Sequence, residues 1–217
     1  MVKRFNIVNA SVEKYIEDTL HPLEGQLKVL YDEAVLKCIP VAKIETLRML
    51  GTVMSIKKPG KILELGCAIG LSSMFFAGYL NEGGSIDTVE CDLDMAGTAK
   101  SNIIKYGYSD KINVVYAEAY DYLSNVNKKY DIIFIDAAKG QYERYFDLCS
   151  EMLDRGGIMI ADNVLYRGMV AKGDKVPHRQ KTLVERLRSF LDRITKDERF
   201  DTAILSIGDG LSVSVRK

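Results

Sequence analysis

Two short apolar runs, each ending in acid, constrain this chain more than any other feature. One is Tyr130-Asp131-Ile132-Ile133-Phe134-Ile135-Asp136-Ala137-Ala138-Lys139-Gly140, and the other is Gly157-Ile158-Met159-Ile160-Ala161-Asp162-Asn163. Their interiors are almost wholly apolar, which is how a strand covered on both faces of a parallel sheet reads; a strand with one wet face would alternate. Ligands of open α/β sheets bind outside the carboxyl ends of the strands, so Asp136, Asp162 and Asn163 are expected to converge there. Two carboxylates and an amide carbonyl make an all-oxygen set, suited to a hard cation such as Mg²⁺ rather than to zinc. Lys139 falls three residues past Asp136, where a new helix should begin. A neighbouring divalent cation disfavours the protonated form of an ammonium, which would let Lys139 serve as a general base at neutral pH. The plainer alternative is that both Asp residues cap the helices that follow. Two such ends on neighbouring strands favour a site.

The rest of the chain supplies the sheet around these runs. Strand-like stretches at 61–65, 85–90, 112–116, 131–135, 157–161, 202–207 and 211–215 alternate with helical ones such as 96–105, 142–153 and 181–194. Five βα units followed by two strands joined at Gly208-Asp209-Gly210 predict an α/β fold. It is a Rossmann-like, mostly parallel, seven-stranded sheet closed by a terminal antiparallel hairpin. Ahead of it the chain reads as helices up to residue 58, broken at His21-Pro22 and at Pro40, with the second over 23–37 and the third over 41–56. The stripe Ile44, Leu47, Leu50, Val53, Met54 is core or dimer surface. No linker or repeat divides the 217 residues, so we expect a single domain: a helical N-terminal appendage over 1–58 and an α/β core over 59–217.

Thirty basic and thirty acidic side chains leave no net charge, so no global field points to nucleic acid or a membrane, and any basic surface must be local. The four cysteines, Cys38, Cys67, Cys91 and Cys149, form no CxxC pair. That argues for reduced thiols rather than a zinc site or a disulfide framework. No apolar run is long enough to span a membrane, and the N-terminal residues lack a signal-peptide core, so a cytoplasmic protein is expected.

A second ligand site is legible at the first strand end, Gly66-Cys67-Ala68-Ile69-Gly70-Leu71-Ser72. Glycines at 66 and 70 let the backbone turn tightly and a ligand approach closely. Their spacing departs from the dinucleotide pattern. Glu90 closes the next strand, where an acid can bind both hydroxyls of a ribose; as a helix cap it would be redundant beside Asp92. The pair indicates a nucleoside-type cofactor without saying which.

Glu64-Leu65-Gly66-Cys67-Ala68-Ile69-Gly70, Glu90, Phe134-Ile135-Asp136-Ala137-Ala138-Lys139, Asp162-Asn163-Val164-Leu165 and Ile207-Gly208-Asp209-Gly210-Leu211 together resemble the cation-dependent O-methyltransferases. That family includes the catechol and caffeoyl-coenzyme A enzymes. The resemblance covers nearly the whole chain. The wording around Asp136–Tyr142 and Asp162–Gly168 is most similar to the bacterial tRNA 5-hydroxyuridine methyltransferases. The resemblance implies S-adenosylmethionine as cofactor, with Gly66 and Ser72 near its methionine part, Glu90 on the ribose, and Glu64, Gly70 and Asp136 among its further contacts. Val41 and Ala42 would close over it, with Glu118 and Ala119 at the adenine. It implies Asp136, Asp162 and Asn163 as Mg²⁺ ligands, with Asp136 and Lys139 in the catalytic set and Lys139 as the base. It also implies a homodimer. Two positions depart from the family pattern: Ala117-Glu118-Ala119 stands where Gly-Asp-Ala is common, and Leu191 where an asparagine near the substrate is usual.

Residues 166–181 hold five Lys or Arg against one Asp, a local excess in a neutral chain. From charge alone this is as readily a solvated lid over a small phenol as an RNA surface. With the resemblance, Arg167, Lys172, Lys175, Arg179 and Lys181 would meet phosphates and Tyr166 would stack on a pyrimidine. The expected reaction is then 5-O-methylation of 5-hydroxyuridine in tRNA. The alternatives are O-methylation of a catechol-like phenol or caffeoyl-CoA-like thioester, and a protein that binds S-adenosylmethionine without turnover.

Overall fold

A computed structural model describes residues 9–171 and 176–217. Seven strands form one sheet: β1 (Lys61–Leu65), β2 (Ser85–Glu90), β3 (Ile112–Tyr116), β4 (Tyr130–Ile135), β5 (Leu153–Asp162), β6 (Phe200–Leu205) and β7 (Leu211–Arg216), in the order β3-β2-β1-β4-β5-β7-β6. The first five are parallel, and β7 runs antiparallel to both of its neighbours. From β1 the chain winds outward to β3 and then returns to β4 on the other side of β1. The order therefore reverses between β1 and β4, the position at which such sheets open a crevice for ligands.

Among the described residues eight α-helices accompany the strands: α1 (Ala10–Thr19), α2 (Gly25–Leu36), α3 (Ile44–Lys57), α4 (Leu71–Ala77), α5 (Leu93–Lys105), α6 (Ala119–Asn125), α7 (Tyr142–Glu151) and α8 (Lys181–Lys196). They cover both faces of the sheet, which is why the interior of β4, Ile132–Ile135, is apolar without alternation. Successive side chains of a strand point to opposite faces, and β4 divides accordingly. Ile132 and Phe134 join one core with Leu47, Leu50 and Met54 of α3 and Phe76 of α4. Ile133 and Ile135 join the other with Tyr142, Tyr145 and Phe146 of α7 and Leu187 and Phe190 of α8. Leu47, Leu50 and Met54 are fully buried, so the expected stripe of α3 is core. By contrast α1 buries no residue, and Tyr15 of α1 and Leu36 at the end of α2 are 70% and 83% exposed.

Several boundaries differ from expectation; β6, for one, spans Phe200–Leu205 rather than 202–207. α3 starts at Ile44 rather than at 41, which leaves Val41 and Ala42 in the loop after Pro40. α5 starts at Leu93 because the Asp92 carboxylate accepts from the N–H groups of Asp94 and Met95, both at 3.0 Å. β5 begins at Leu153 and runs through Gly156 and Gly157. No helix among the described residues is long and apolar enough to cross a membrane.

Candidate active site

A cavity of about 200 Å³ opens at the carboxyl ends of β1, β2 and β4. Its walls include Pro40, Val41 and Ala42 from the loop before α3, Gly66, Cys67 and Ala68 after β1, Ser72 in α4, and Glu90, Asp136 and Lys139. Seven of the expected site residues thus share one cavity: Val41, Ala42, Gly66, Ser72, Glu90, Asp136 and Lys139.

The loop after β1 is built for close approach. Gly66 has φ +87°, and a Cβ there would overlap the carbonyl oxygen of Asp136. Gly70, at φ +84°, caps α4 rather than lining the cavity, and a Cβ on it would touch Ala99 and Ile103 of α5. Glu90 clamps this loop. Its Oε2 accepts from the N–H groups of Cys67 (3.2 Å) and Ala68 (2.9 Å), and its Oε1 from those of Cys91 (2.9 Å) and Asp92 (3.0 Å). Four backbone donors fix the carboxylate that was expected to face a ribose. Those donors were not legible, because they depend on how the loop folds back over β2.

Glu64 lies beneath the cavity floor, fully buried. Its Oε2 accepts from Thr88 Oγ1 at 2.7 Å and from Ser73 Oγ, while Oε1 has no partner. Burial pushes its carboxyl up to about 7, against the pull of the Ser72, Ser73 and Thr88 hydroxyls. An orphaned carboxylate oxygen under a glycine cradle fits a ligand bearing a polar or cationic group above it, as the methionine end of S-adenosylmethionine does. Burial pushes the Cys67 thiol well above its ordinary range. Glu118 is exposed at the start of α6 and Ala119 is buried behind it; neither lines the cavity.

The second half of the site stands beside the first. Ile135 pairs with Ala161, so Asp136 and Asp162 leave β4 and β5 side by side. Asp162 is only 3% exposed; burial and then Asp136 push its carboxyl up to about 7. The Asp136 side chain is 32% exposed, and burial and Glu90 push its carboxyl up while Lys139 pulls it down. Lys139 Nζ lies 3.8 Å from Asp136 Oδ1, at the head of a single 3₁₀ turn (Lys139–Gln141) leading into α7. Two neighbouring carboxylates whose charged forms burial disfavours, with the Lys139 ammonium beside one of them, fit a missing positive charge. The all-oxygen donor set suits a hard divalent cation.

Asn163 follows Asp162 at φ +60°, its N–H donating to Asp162 Oδ1 at 2.6 Å. Tyr166 and Arg167 are also left-handed, at φ +42° and +55°. Such non-glycine residues cost roughly 1–3 kcal/mol each and cluster at functional sites. Tyr142, which the sequence reading missed, is fully buried below this corner, and its hydroxyl donates to the Asp162 carbonyl at 3.0 Å.

Of the expected RNA contacts, Tyr166 is half-buried, and Arg167, Arg179 and Lys181 are exposed; none of these three makes an ion pair among the described residues. Lys172 and Lys175 lie outside the described residues. Leu191 packs on α8 against the second core.

Comparison with known proteins gives one consistent result. A family model described as O-methyltransferase matches residues 17–217. A caffeoyl-CoA O-methyltransferase of Populus kitakamiensis is 30% identical over 222 residues, spanning 95% of this chain and 93% of that protein. A catechol O-methyltransferase of Niastella koreensis is 27% identical over 98% of this chain and 99% of its own. Among solved structures, a Staphylococcus aureus protein provisionally assigned as a caffeoyl-CoA O-methyltransferase superposes with a TM-score of 0.87 at 30% identity, over 95% of this chain and 100% of that one. An O-methyltransferase from Bacillus cereus in complex with SAH gives 0.83 at 25% identity over the full length of both.

Proposed function

The chain belongs to the O-methyltransferase family, and on that premise we propose that it methylates the 5-hydroxyl of 5-hydroxyuridine in tRNA, giving 5-methoxyuridine. Bound S-adenosylmethionine supplies an activated methyl group, and a divalent cation held by Asp136, Asp162 and Asn163 supplies Lewis acidity. The chain's own residues do the rest. The Gly66 turn lets the cofactor lie against the backbone, Glu90 holds that turn in shape, and Val41 and Ala42 shield the cavity from water. Lys139 Nζ, 3.8 Å from Asp136, would take the acceptor's hydroxyl proton. Fixing acceptor and methyl group in line supplies the remaining rate.

The acceptor class rests on one observation. Arg167, Arg179 and Lys181 stand exposed on the segment that continues from Asp162 and Asn163, and none of them makes an ion pair among the described residues. A phosphate backbone would meet such cations, and the resemblance of residues 136–142 and 162–168 to the tRNA enzymes favours it over a solvated lid above a small phenol. The second reading, a catechol-like phenol or caffeoyl-CoA-like thioester, is favoured by the substrates in the relatives' names. Methyl transfer from labelled S-adenosylmethionine to 5-hydroxyuridine-containing tRNA, run beside catechol and caffeoyl-CoA, decides between them. Label confined to the small phenols overturns the tRNA reading, and label in none of the three leaves a cofactor-binding protein without turnover. The exposed Val12, Tyr15 and Ile16 of α1 and Val29, Val35 and Leu36 of α2 support a homodimer built on these helices.

A further inference from the structure

The chain returns to the site through a turn that the chemistry above leaves unused. Residues 206–210 join β6 to β7, and three successive residues there grip two different elements. Gly208 faces α3: its N–H donates to Glu45 Oε1 at 3.1 Å, and a Cβ on it would stand 2.6 Å from Thr46 Oγ1. Gly210 faces the segment after β5: its carbonyl accepts from Val164 N–H at 3.0 Å, and a Cβ on it would overlap the Leu165 side chain. Between them Asp209 takes two donors from that same segment. Its carbonyl accepts from Leu165 N–H at 3.0 Å, and its Oδ1 accepts from Arg167 N–H.

The gripped segment begins with Asn163 and is the left-handed stretch of the site, with positive φ at Asn163, Tyr166 and Arg167. Side chains of L-residues resist that conformation, and it persists only where surrounding contacts over-determine it. The turn supplies them: the N–H groups of residues 164, 165 and 167 all end on Asp209 or Gly210. The opposite face of the turn is braced on α3.

We propose that Asp209 is a positioning residue for the divalent-cation site, holding residues 163–167 in their left-handed course so that Asn163 stands beside Asp136 and Asp162. The inference rests on reading those three residues as the cation ligands. Groups that orient metal ligands without touching the metal typically change its affinity 10–100-fold when removed. Asp209→Ala removes the acceptor for Arg167 N–H, while Asp209→Asn keeps an oxygen in its place.

The test is Mn²⁺ binding by the full-length chain, followed by electron paramagnetic resonance of the free ion, with S-adenosylhomocysteine affinity measured alongside. Asp209→Ala should weaken Mn²⁺ binding by about 10–100-fold and leave S-adenosylhomocysteine affinity within about twofold, and Asp209→Asn should recover most of the loss. Should Asp209→Ala fail to fold, Asp209→Ser, whose hydroxyl is too short to reach, carries the same comparison. Unchanged Mn²⁺ affinity overturns the inference. So does a parallel loss of both ligands, which marks general damage, and so does an Asn variant as weak as the Ala one. Asp162→Ala separates this from the reading beneath it. If that variant binds Mn²⁺ like the wild type, or the wild type binds none, the ligand assignment fails; if only Asp209→Ala is silent, the positioning role alone fails.

Discussion

The hydroxyl of Tyr142 donates to the backbone carbonyl of Asp162 at 3.0 Å, which ties the first turn of α7 to the end of β5 beneath the two acids. Tyr142 is fully buried and its ring meets Phe190 edge-on at 5.5 Å. Tyr142→Phe keeps the packing and strands the carbonyl, a loss of about 1–3 kcal/mol. Thermal unfolding should show a midpoint several degrees lower, with turnover also reduced because Asp162 is less firmly held. A midpoint equal to the wild type's would mean that this bond contributes nothing.

Lys139 is the residue on which the chemistry turns. It lines the cavity, and its ammonium lies 3.8 Å from Asp136 Oδ1. Lys139→Ala should therefore lower kcat by ~10²–10⁴, with cofactor affinity nearly unchanged in calorimetry. A variant that loses affinity and keeps its rate would make Lys139 a binding residue instead.

Asp162 and Glu64 both hold their protons up to about 7, well above the ordinary carboxylate range. A folded chain that keeps protons which the unfolded chain has released is destabilised as pH rises. Their contribution is fully present below the ordinary carboxylate values and is lost as pH climbs through about 7. In chelator, Asp162→Asn should gain stability over the wild type between about pH 5 and about pH 8, and excess Mg²⁺ should erase that advantage. Calorimetric scans showing an offset independent of pH would refute the burial argument for Asp162.

How much of this was legible beforehand depends on whether local sequence decides it. The nearly all-apolar runs in β4 and β5 announce two-sided burial by themselves, and Asp136 and Asp162 follow from where those runs end. Register then brings them together without further information. Val41 and Ala42 were placed at the cavity although the helix expected over them starts at Ile44, because Pro40 and a cavity-facing loop leave the same apolar signature as a helix. Glu64 and Glu90 were both read as ligand contacts. Only the folded chain separates them, since one is buried under Ser73 and Thr88 and the other is held by four backbone N–H groups. Tyr142 left no signal, for its partner is a carbonyl twenty residues away.

The exposed apolar residues of α1 and α2 lead to a dimer prediction. Light scattering at micromolar concentration should give about twice the 24.3 kDa of one chain. Leu36→Glu, at a position 83% exposed and with no packing to lose, should shift the mass toward the monomer. A monomeric wild type would rule the dimer out.

The acceptor is tested most directly through salt. Each phosphate neutralised by a lysine or arginine releases condensed counterions, so binding to RNA falls with the logarithm of salt concentration, with a slope set by the number of contacts. Arg179 sits in the 3₁₀ turn His178–Gln180 and Lys181 opens α8, both exposed and neither in an ion pair among the described residues. Replacing both with glutamine should cost the fold little, since no packing or hydrogen bond depends on their side chains. If they meet phosphates, the double variant should raise KM for tRNA and flatten the salt slope by roughly one to two, with kcat at saturating tRNA retained. Any activity on catechol should stay the same, because a small phenol reaches only the cavity side of Lys139 and Asp136. A double variant with wild-type KM and an unchanged salt slope on 5-hydroxyuridine-containing tRNA would take these two cations out of the RNA surface. The case for that acceptor would then rest on Arg167 and on the resemblance alone.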